Sequence, residues 1–110
     1  MMITMEDFDK LDIRVGTVLT VKLNRKSRNP AYAMTIDFGG ELGIKKTSSQ
    51  ITALYTAEDL IGRQILCCVN IKPMYIGIVK SEVRVLAVEA AQGTVLALPE
   101  RPVQNGDPVD

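Results

Sequence analysis

The alternation of apolar and polar residues between positions 13 and 23 constrains the fold more than any other feature of the sequence. One side of an extended chain would carry the aliphatic residues Ile13, Val15, Leu19, Val21 and Leu23. A period of two residues is typical of a β-strand with one buried face. Gly16 interrupts the interior of this strand, and it predicts a bulge or bend that lets the strand curl from one layer of a small barrel into the next.

Shorter segments with the composition of strands lie at residues 31–38, 42–46, 64–70, 82–89 and 94–98. The first two of them flank Gly39 and Gly40 and predict a hairpin. A three-residue loop at 39–41 would pair Phe38 with Leu42 and Ile36 with Ile44. This register places the apolar side chains on one face, and it needs a glycine in the left-handed conformation.

Short helices are predicted at three places. Thr4 precedes residues 5–11 and Thr56 opens residues 56–61, and each threonine is followed three positions later by an aspartate, a pairing that caps a helix. Gly62 would end the second helix. Residues 50–55 form a third helical stretch, capped by the hydroxyls at 47–49. The prolines between residues 99 and 108 exclude a central strand, so this tail is expected along a sheet edge or against a partner.

The order of these elements predicts an all-β domain with short helices. A curling strand, a hairpin, a helical connection and two more strands follow one another, as expected of a five-stranded Greek-key OB-fold barrel. An N-terminal helix and a C-terminal strand extension would lie outside the barrel. With 110 residues, 46% of them hydrophobic, the chain suffices for one core, so residues 1–110 are expected to form a single domain.

The residue composition narrows the chemistry. The chain has no histidine, which excludes Ser-His-Asp and Cys-His catalysis within it. The remaining nucleophilic arrangement would pair Ser49 or Ser81 with a lysine, and no spacing favours it. The two cysteines are the neighbours Cys67 and Cys68, which cannot supply the ligands of a zinc site. We expect no catalytic residue, no metal, no cofactor and no small-molecule substrate.

Cysteine placement and charge indicate the cellular setting. Adjacent side chains of a strand point to opposite faces, so Cys67 and Cys68 are expected to be reduced and buried. Acidic residues at positions 6, 7 and 9 stand where a secretory leader would be basic and then apolar. No apolar run approaches the roughly 20 residues that cross a bilayer. A cytoplasmic protein without membrane insertion is expected.

The connection between the strands at 64–70 and 82–89 is unusually apolar. Pro73 and Gly77 exclude a tight two-residue link between these strands, yet the segment contains Met74, Tyr75, Ile76, Ile78 and Val79. Contiguous exposed apolar residues mark interaction sites. Two interpretations stay open: a groove for polypeptides, or an interface between two copies of the chain.

The net charge of the chain argues against a highly charged ligand such as a nucleic acid. Thirteen basic residues balance thirteen acidic ones, so the net positive charge typical of a nucleic-acid binder is absent. A local basic cluster remains around residues 24–30. It is either a solvated loop tip or a contact for phosphate or an acidic partner.

Four short motifs resemble a known family. They are Asp12-Ile13-Arg14-Val15-Gly16, Ser49-Gln50-Ile51, Val69-Asn70 with Pro73, and Lys80-Ser81-Glu82-Val83. In this order and spacing they resemble the tRNA-binding type of OB domain, which occurs in structure-specific tRNA-binding proteins and at the C-terminus of methionyl-tRNA synthetases. Within that family, the likeness is strongest to the stand-alone CsaA-like secretion chaperones. One departure is that Val83-Arg84 stands where the tRNA-binding relatives typically have Gly-Met.

The resemblance implies a homodimer in which the N-terminal helix and the C-terminal extension take part, without a cofactor. Two functions follow as hypotheses. The first is an ATP-independent chaperone, linked to protein export, that binds unfolded or precursor polypeptides through residues 74–79. The second is a tRNA- or RNA-binding module. The polar residues expected at the rim of a peptide groove or in contact with RNA are Arg25, Lys26, Lys45, Lys46, Ser49, Gln50, Asn70, Lys72, Lys80, Ser81, Glu82 and Arg84.

Overall fold

The computed structural model describes residues 1–110, with two single-turn helices and nine strands. The helices are α1 (Met5–Phe8) and α2 (Ala57–Leu60). The strands are β1 (Ile13–Leu23), β2 (Tyr32–Asp37), β3 (Ile44–Ser49), β4 (Gln64–Cys68), β5 (Met74–Ile76), β6 (Val79–Ser81), β7 (Arg84–Val85), β8 (Ala87–Ala90) and β9 (Gly93–Leu96). Each of the two helices has four residues, so neither could span a membrane.

Five strands form the antiparallel barrel that the sequence predicts, in the order β3-β2-β1-β4-β7. The barrel closes where β3 meets the segment between β6 and β7. The amide of Lys46 donates to the Glu82 carboxylate at 2.9 Å, and the amide of Glu82 donates to the Lys46 carbonyl at 2.8 Å. The Thr47 hydroxyl donates to the Val83 carbonyl at 2.8 Å. The result is a nearly closed five-stranded barrel of the OB type, which confirms the predicted fold class.

Both predicted capping boxes are confirmed. The hydroxyls of Thr4 and Thr56 accept from the amides of Asp7 and Asp59, whose carboxylates accept in return. Gly62, with φ of 87°, follows the end of α2 as predicted. The N-terminal helix is shorter than predicted, and the helix predicted at 50–55 does not form. The hydroxyls at 47–49 belong to β3 instead. Those of Thr47 and Ser48 are buried and hydrogen-bonded to Ser81 and Asn24, so they do not cap a helix.

The bulge in β1 lies at Leu19, not at Gly16. Val18 pairs with Ile36 and Thr20 with Thr35, so Leu19 is the unpaired extra residue. The extra residue reverses the inward face of the strand: Gly16 and Val18 are buried before it, and Val21 packs against the core after it. The single apolar face predicted for residues 13–23 is therefore wrong. Gly16 itself faces the core, where a Cβ would lie 2.6 Å from Cγ2 of Ile36.

The register predicted for the β2–β3 hairpin is also wrong. Ile36 pairs with Lys45, and the amide of Phe38 donates to the carbonyl of Gly43 at 2.9 Å, which makes the loop four residues long. The reason is local: the Asp37 carboxylate accepts from the amide of Gly39 at 2.8 Å and starts the turn early. The predicted left-handed glycine is confirmed, and Ile44 is left exposed.

The core lies inside the barrel and consists of aliphatic side chains around Phe38. Both cysteines are reduced and buried, as predicted. Cys67 is fully buried among these apolar residues. Burial, and secondarily the neighbouring Cys68, raises the pKa of the Cys67 thiol from 9.0 to about 12.

The C-terminal tail pairs with the edge of β1 that β2 leaves open. The amides of Val15 and Val109 donate to the carbonyls of Asp107 and Ile13, and the amide of Gly106 donates to the carbonyl of Val15. The Arg14 guanidinium, paired with Asp12, donates to the Gly106 carbonyl at 3.0 Å. The predicted edge position of the tail is confirmed.

Candidate functional site

The apolar connection after β4 folds as a hairpin of its own, β5–β6, which turns at Gly77 and Ile78. Met74, Tyr75 and Ile78 are 62%, 69% and 75% exposed, whereas Ile76 and Val79 are partly covered. Side chains of a strand alternate between its two faces. The hairpin accordingly forms a wall of two different clefts.

The first is the lysine cleft, with a volume of about 600 Å³, between the hairpin and the outer face of β1, β2 and β3. It is lined by Thr20, Lys22, Ala33, Met34, Thr35, Lys46, Tyr75, Ile78, Val79, Lys80 and Glu82. Its lysines outnumber its one carboxylate, that of Glu82, which already accepts from the Lys46 amide. The cleft therefore presents an apolar wall with a basic rim.

The second is the hydroxyl cleft, with a volume of about 480 Å³, on the other side of the hairpin. It is lined by Thr47, Ser48, Ser49, Gln50, Ile51, Ile71, Lys72, Met74, Ile76, Ser81, Val83, Arg84, Val85, Leu86, Ala87, Glu89 and Thr94. Met74 and Ile76 supply the hairpin side of its wall. Val83 and Arg84 both line this cleft: Val83 is buried and Arg84 is exposed.

Asn24 fixes the hairpin to the barrel, a role that was not predicted from the sequence. It is 5% exposed, and its Nδ2 donates to the Ser48 hydroxyl and to the Ile76 carbonyl, both at 3.0 Å. Its Oδ1 accepts from the amide of Lys26 at 3.2 Å. A buried, fully bonded amide of this kind holds its neighbours in one geometry. The only signal in the sequence is an asparagine directly after a strand, which also fits an ordinary turn.

The basic loop at 24–30 packs against the tip of the hairpin. A Cβ on Gly77 would lie 2.7 Å from the carbonyl oxygen of Lys26, and the φ of Gly77 is +63°. Only glycine allows this approach. The basic loop and the apolar hairpin are therefore neighbours in space.

The residues predicted for the polar rim fall into separate groups. Lys46, Lys80 and Glu82 line the lysine cleft. The hydroxyl cleft contains Ser49, Gln50, Lys72, Ser81 and Arg84. Neither cleft includes Arg25, Lys26, Lys45 and Asn70. Lys45 pairs with Ile36 while Lys46 pairs with Thr35, so the two neighbouring lysines point to opposite faces of β3.

Several motif residues use their polar atoms within the chain. Asn70 accepts from the amide of Asp12 at 3.0 Å and donates to the carbonyl of Lys10 at 2.7 Å, which ties α1 to the end of β4. The Ser81 hydroxyl is buried and bonded to Thr47 at 3.0 Å. These contacts, like those of Arg14 and Glu82, hold the barrel together. The family motifs thus report the fold rather than one particular ligand.

The site shows no grouping of side chains for metal chemistry. No three His, Cys, Asp or Glu residues lie close enough together to hold a metal ion. The two clefts offer apolar contacts, hydrogen-bonding groups and charged side chains, which are the features of a binding surface.

Comparisons with curated proteins relate the chain to one domain of a larger enzyme. It is 38% identical over 104 residues to the methionine-tRNA ligase of Archaeoglobus fulgidus, and 41% identical over 81 residues to that of Bdellovibrio bacteriovorus. These matches cover 94% and 74% of this chain. The chain spans only 15% and 12% of the length of these two relatives.

Two solved structures match the chain over its whole length. The CsaA chaperone protein from Picrophilus torridus has a TM-score of 0.95 and 38% identity, and the match covers 99% of this chain and 100% of that one. The chaperone CsaA from Bacillus anthracis has a TM-score of 0.92 and 44% identity, with 100% of both chains covered. The family model of the tRNA binding domain matches residues 13–108. The chain therefore belongs to the tRNA binding domain family.

Proposed function

We propose that the chain is a homodimeric, ATP-independent chaperone that binds unfolded or precursor polypeptides in the cytoplasm, in connection with protein export. The observation that carries this proposal is the exposure of the β5–β6 hairpin, whose apolar side chains at 74, 75 and 78 stand in solvent. The similarity to CsaA chaperones over both full chain lengths supports it. No catalytic step is part of the proposal.

The chemistry of the hairpin fits a ligand of variable sequence. Met74 is unbranched and adaptable, and Tyr75 combines an apolar ring with a polar hydroxyl. Such surfaces bind many sequences with modest affinity each. Lys46 and Lys80 at the edge of the lysine cleft add attraction for the carboxylates or carbonyls of a client.

The second candidate function is binding of tRNA, and a specific observation favours it. Lys22, Lys46 and Lys80 line the same cleft as Tyr75, beside the outer face of the barrel strands. OB folds bind oligonucleotides with such a face. The net charge of zero provides little of the long-range attraction that most nucleic-acid binders use. Polypeptide therefore ranks before tRNA.

Suppression of client aggregation tests the first proposal. The wild-type protein is expected to reduce light scattering from a chemically denatured client without ATP, and Ile78→Asp is expected to remove most of this effect because it charges the hairpin tip. Ile44→Asp is the matched control, since Ile44 is 58% exposed and lines neither cleft. Equal activity of the two variants would rule out the hairpin as the client site.

Sedimentation velocity tests the partner and the assembly together. The protein alone is expected to sediment as a dimer, and an unfolded client is expected to shift the boundary in low and in physiological salt. A shift with tRNA that disappears as salt rises, combined with no shift by the client, would favour the RNA function instead. Ile78→Asp should still sediment as a dimer if the hairpin is a ligand surface rather than the subunit interface.

A further inference from the structure

The hydroxyl cleft has an apolar floor that the proposed client surface does not use. Ile51 and Val83 are 3% and 2% exposed at this floor, and Ile76 borders them from the hairpin. The hydroxyls of Thr47 and Ser81 nearby are already bonded to each other. Because these polar groups are satisfied, an aliphatic group is the favoured occupant of the floor.

The rim of the same cleft is positively charged. Lys72 and Arg84 are exposed there, and neither takes part in an ion pair within the chain, since those pairs join residues 7 and 10, 12 and 14, and 100 and 101. Glu89 is the one carboxylate in the lining, and Gln50 adds an uncharged donor. Two cations against one carboxylate favour an anionic group at the rim.

The size and the lining restrict which anion fits. A volume of about 480 Å³ lies within the range of about 300–1,000 Å³ that is typical of ligand sites. None of the lining residues is aromatic, so a nucleobase would find no stacking partner. A carboxylate attached to an aliphatic body matches both the rim and the floor. The end of a polypeptide chain provides these two groups together.

We infer that the hydroxyl cleft binds the C-terminal carboxylate of a polypeptide whose last side chain is aliphatic. Arg84 and Lys72 hold the carboxylate, for which the planar guanidinium offers paired donors. The aliphatic side chain lies on Ile51 and Val83. The inference rests on the proposed function, because strand β5 joins this cleft to the exposed hairpin surface on which the client lies.

Two probe peptides test the inference on the full chain. Acetyl-glycyl-valyl-leucine, with a free carboxylate, is compared with the same peptide amidated at its C-terminus, by NMR of the isotope-labelled protein. The free acid is expected to shift the backbone amides of Ile51 and Val83 and to bind about tenfold more tightly than the amide. Arg84→Gln and Lys72→Gln are expected to remove this preference. Lys45→Gln, which lines neither cleft, is the matched control and should keep it.

The outcomes separate the inference from the proposed function. Equal affinity for acid and amide, or a preference that survives Arg84→Gln, overturns the inference. Adenosine monophosphate that displaces the peptide at lower concentration also overturns it. A longer unstructured peptide with an amidated C-terminus should still shift the amides of Tyr75 and Ile78. Absence of that shift counts against the proposed client surface alone, whereas absence of the acid preference counts against the carboxylate site alone.

Discussion

One methyl group added at Gly16 is expected to destabilise the barrel. The added Cβ would lie 2.6 Å from Ile36 and 2.7 Å from the ring of Phe38, both of which are buried. Gly16→Ala is expected to lower the free energy of unfolding by about 1–3 kcal/mol, the usual cost of overpacking. Urea titration measures the loss. Phe38→Leu in the same chain should recover part of it, and strictly additive losses would contradict a steric cause.

The thiol of Cys67 is expected to make stability depend on pH in the alkaline range. Its pKa rises from 9.0 in the unfolded chain to about 12 in the fold, because burial disfavours the thiolate. The folded state thus holds the proton more tightly, so this contribution is complete below pH 9 and is lost as the pH rises towards 12. Thermal melts of the wild type and of Cys67→Ala across this range test it. The expected result is a smaller alkaline decrease in the variant, and parallel decreases would refute the assignment.

The sequence indicated several of the polar residues that line the clefts, but it did not indicate which residues use their polar atoms in internal hydrogen bonds. Asn70 and Ser81 were expected at the rim of a ligand site, and both are engaged in internal hydrogen bonds. Asn24 was assigned no role, although it joins three segments. The hydrogen-bond partners of these side chains come from distant positions in the chain, so the neighbouring residues in the sequence do not predict them.

At the scale of elements, the β5–β6 hairpin depends on Asn24. Asn24→Ala removes two donors from this contact and leaves the Lys26 amide without its acceptor. A loss of about 1–3 kcal/mol is expected for the buried groups left unpaired. Hydrogen exchange should accelerate in residues 74–81 more than in β1 or β4. Ser49→Ala, next to Ser48 on β3, is the control; comparable exchange in both variants would show that Asn24 does not position the hairpin.

Elements defined by local chemistry were predictable, and elements defined by contacts were not. The threonine–aspartate caps and the long first strand depend on residues close in sequence, and they are present as predicted. The bulge at Leu19 and the four-residue loop after Phe38 depend on how two strands fit around a shared core. A shift of one residue exchanges the two faces of a strand. The exposed side was therefore assigned incorrectly in part of β1 and in β3.

At the scale of the whole molecule, the C-terminal tail completes the sheet. Removal of residues 103–110 would delete three backbone hydrogen bonds between the tail and β1. At about 0.5–1.5 kcal/mol each, the expected loss is on the order of 3 kcal/mol. Differential scanning calorimetry measures it. Arg101→Ala is the control, because its exposed ion pair with Glu100 should contribute little, and an equally small effect of the truncation would show that the tail does not support the barrel.

The overall architecture followed from the order of the elements, because few topologies connect a curled strand, a hairpin, a helix and two strands into one closed core. The placement of the ligand surfaces did not follow from it. The apolar residues at 74–79 were recognised, but their division between two clefts arises because this segment forms a β-hairpin of its own, whose side chains alternate between its two faces.

This shared wall has a thermodynamic consequence. The β5–β6 hairpin borders both clefts, so a guest that displaces it in one cleft alters the shape offered to a guest in the other. If a ligand in one cleft changes the affinity of the other cleft by a given factor, a ligand in the other cleft changes the affinity of the first by the same factor. A single measured coupling constant would then describe the positive or negative cooperativity between two ligands that do not contact each other.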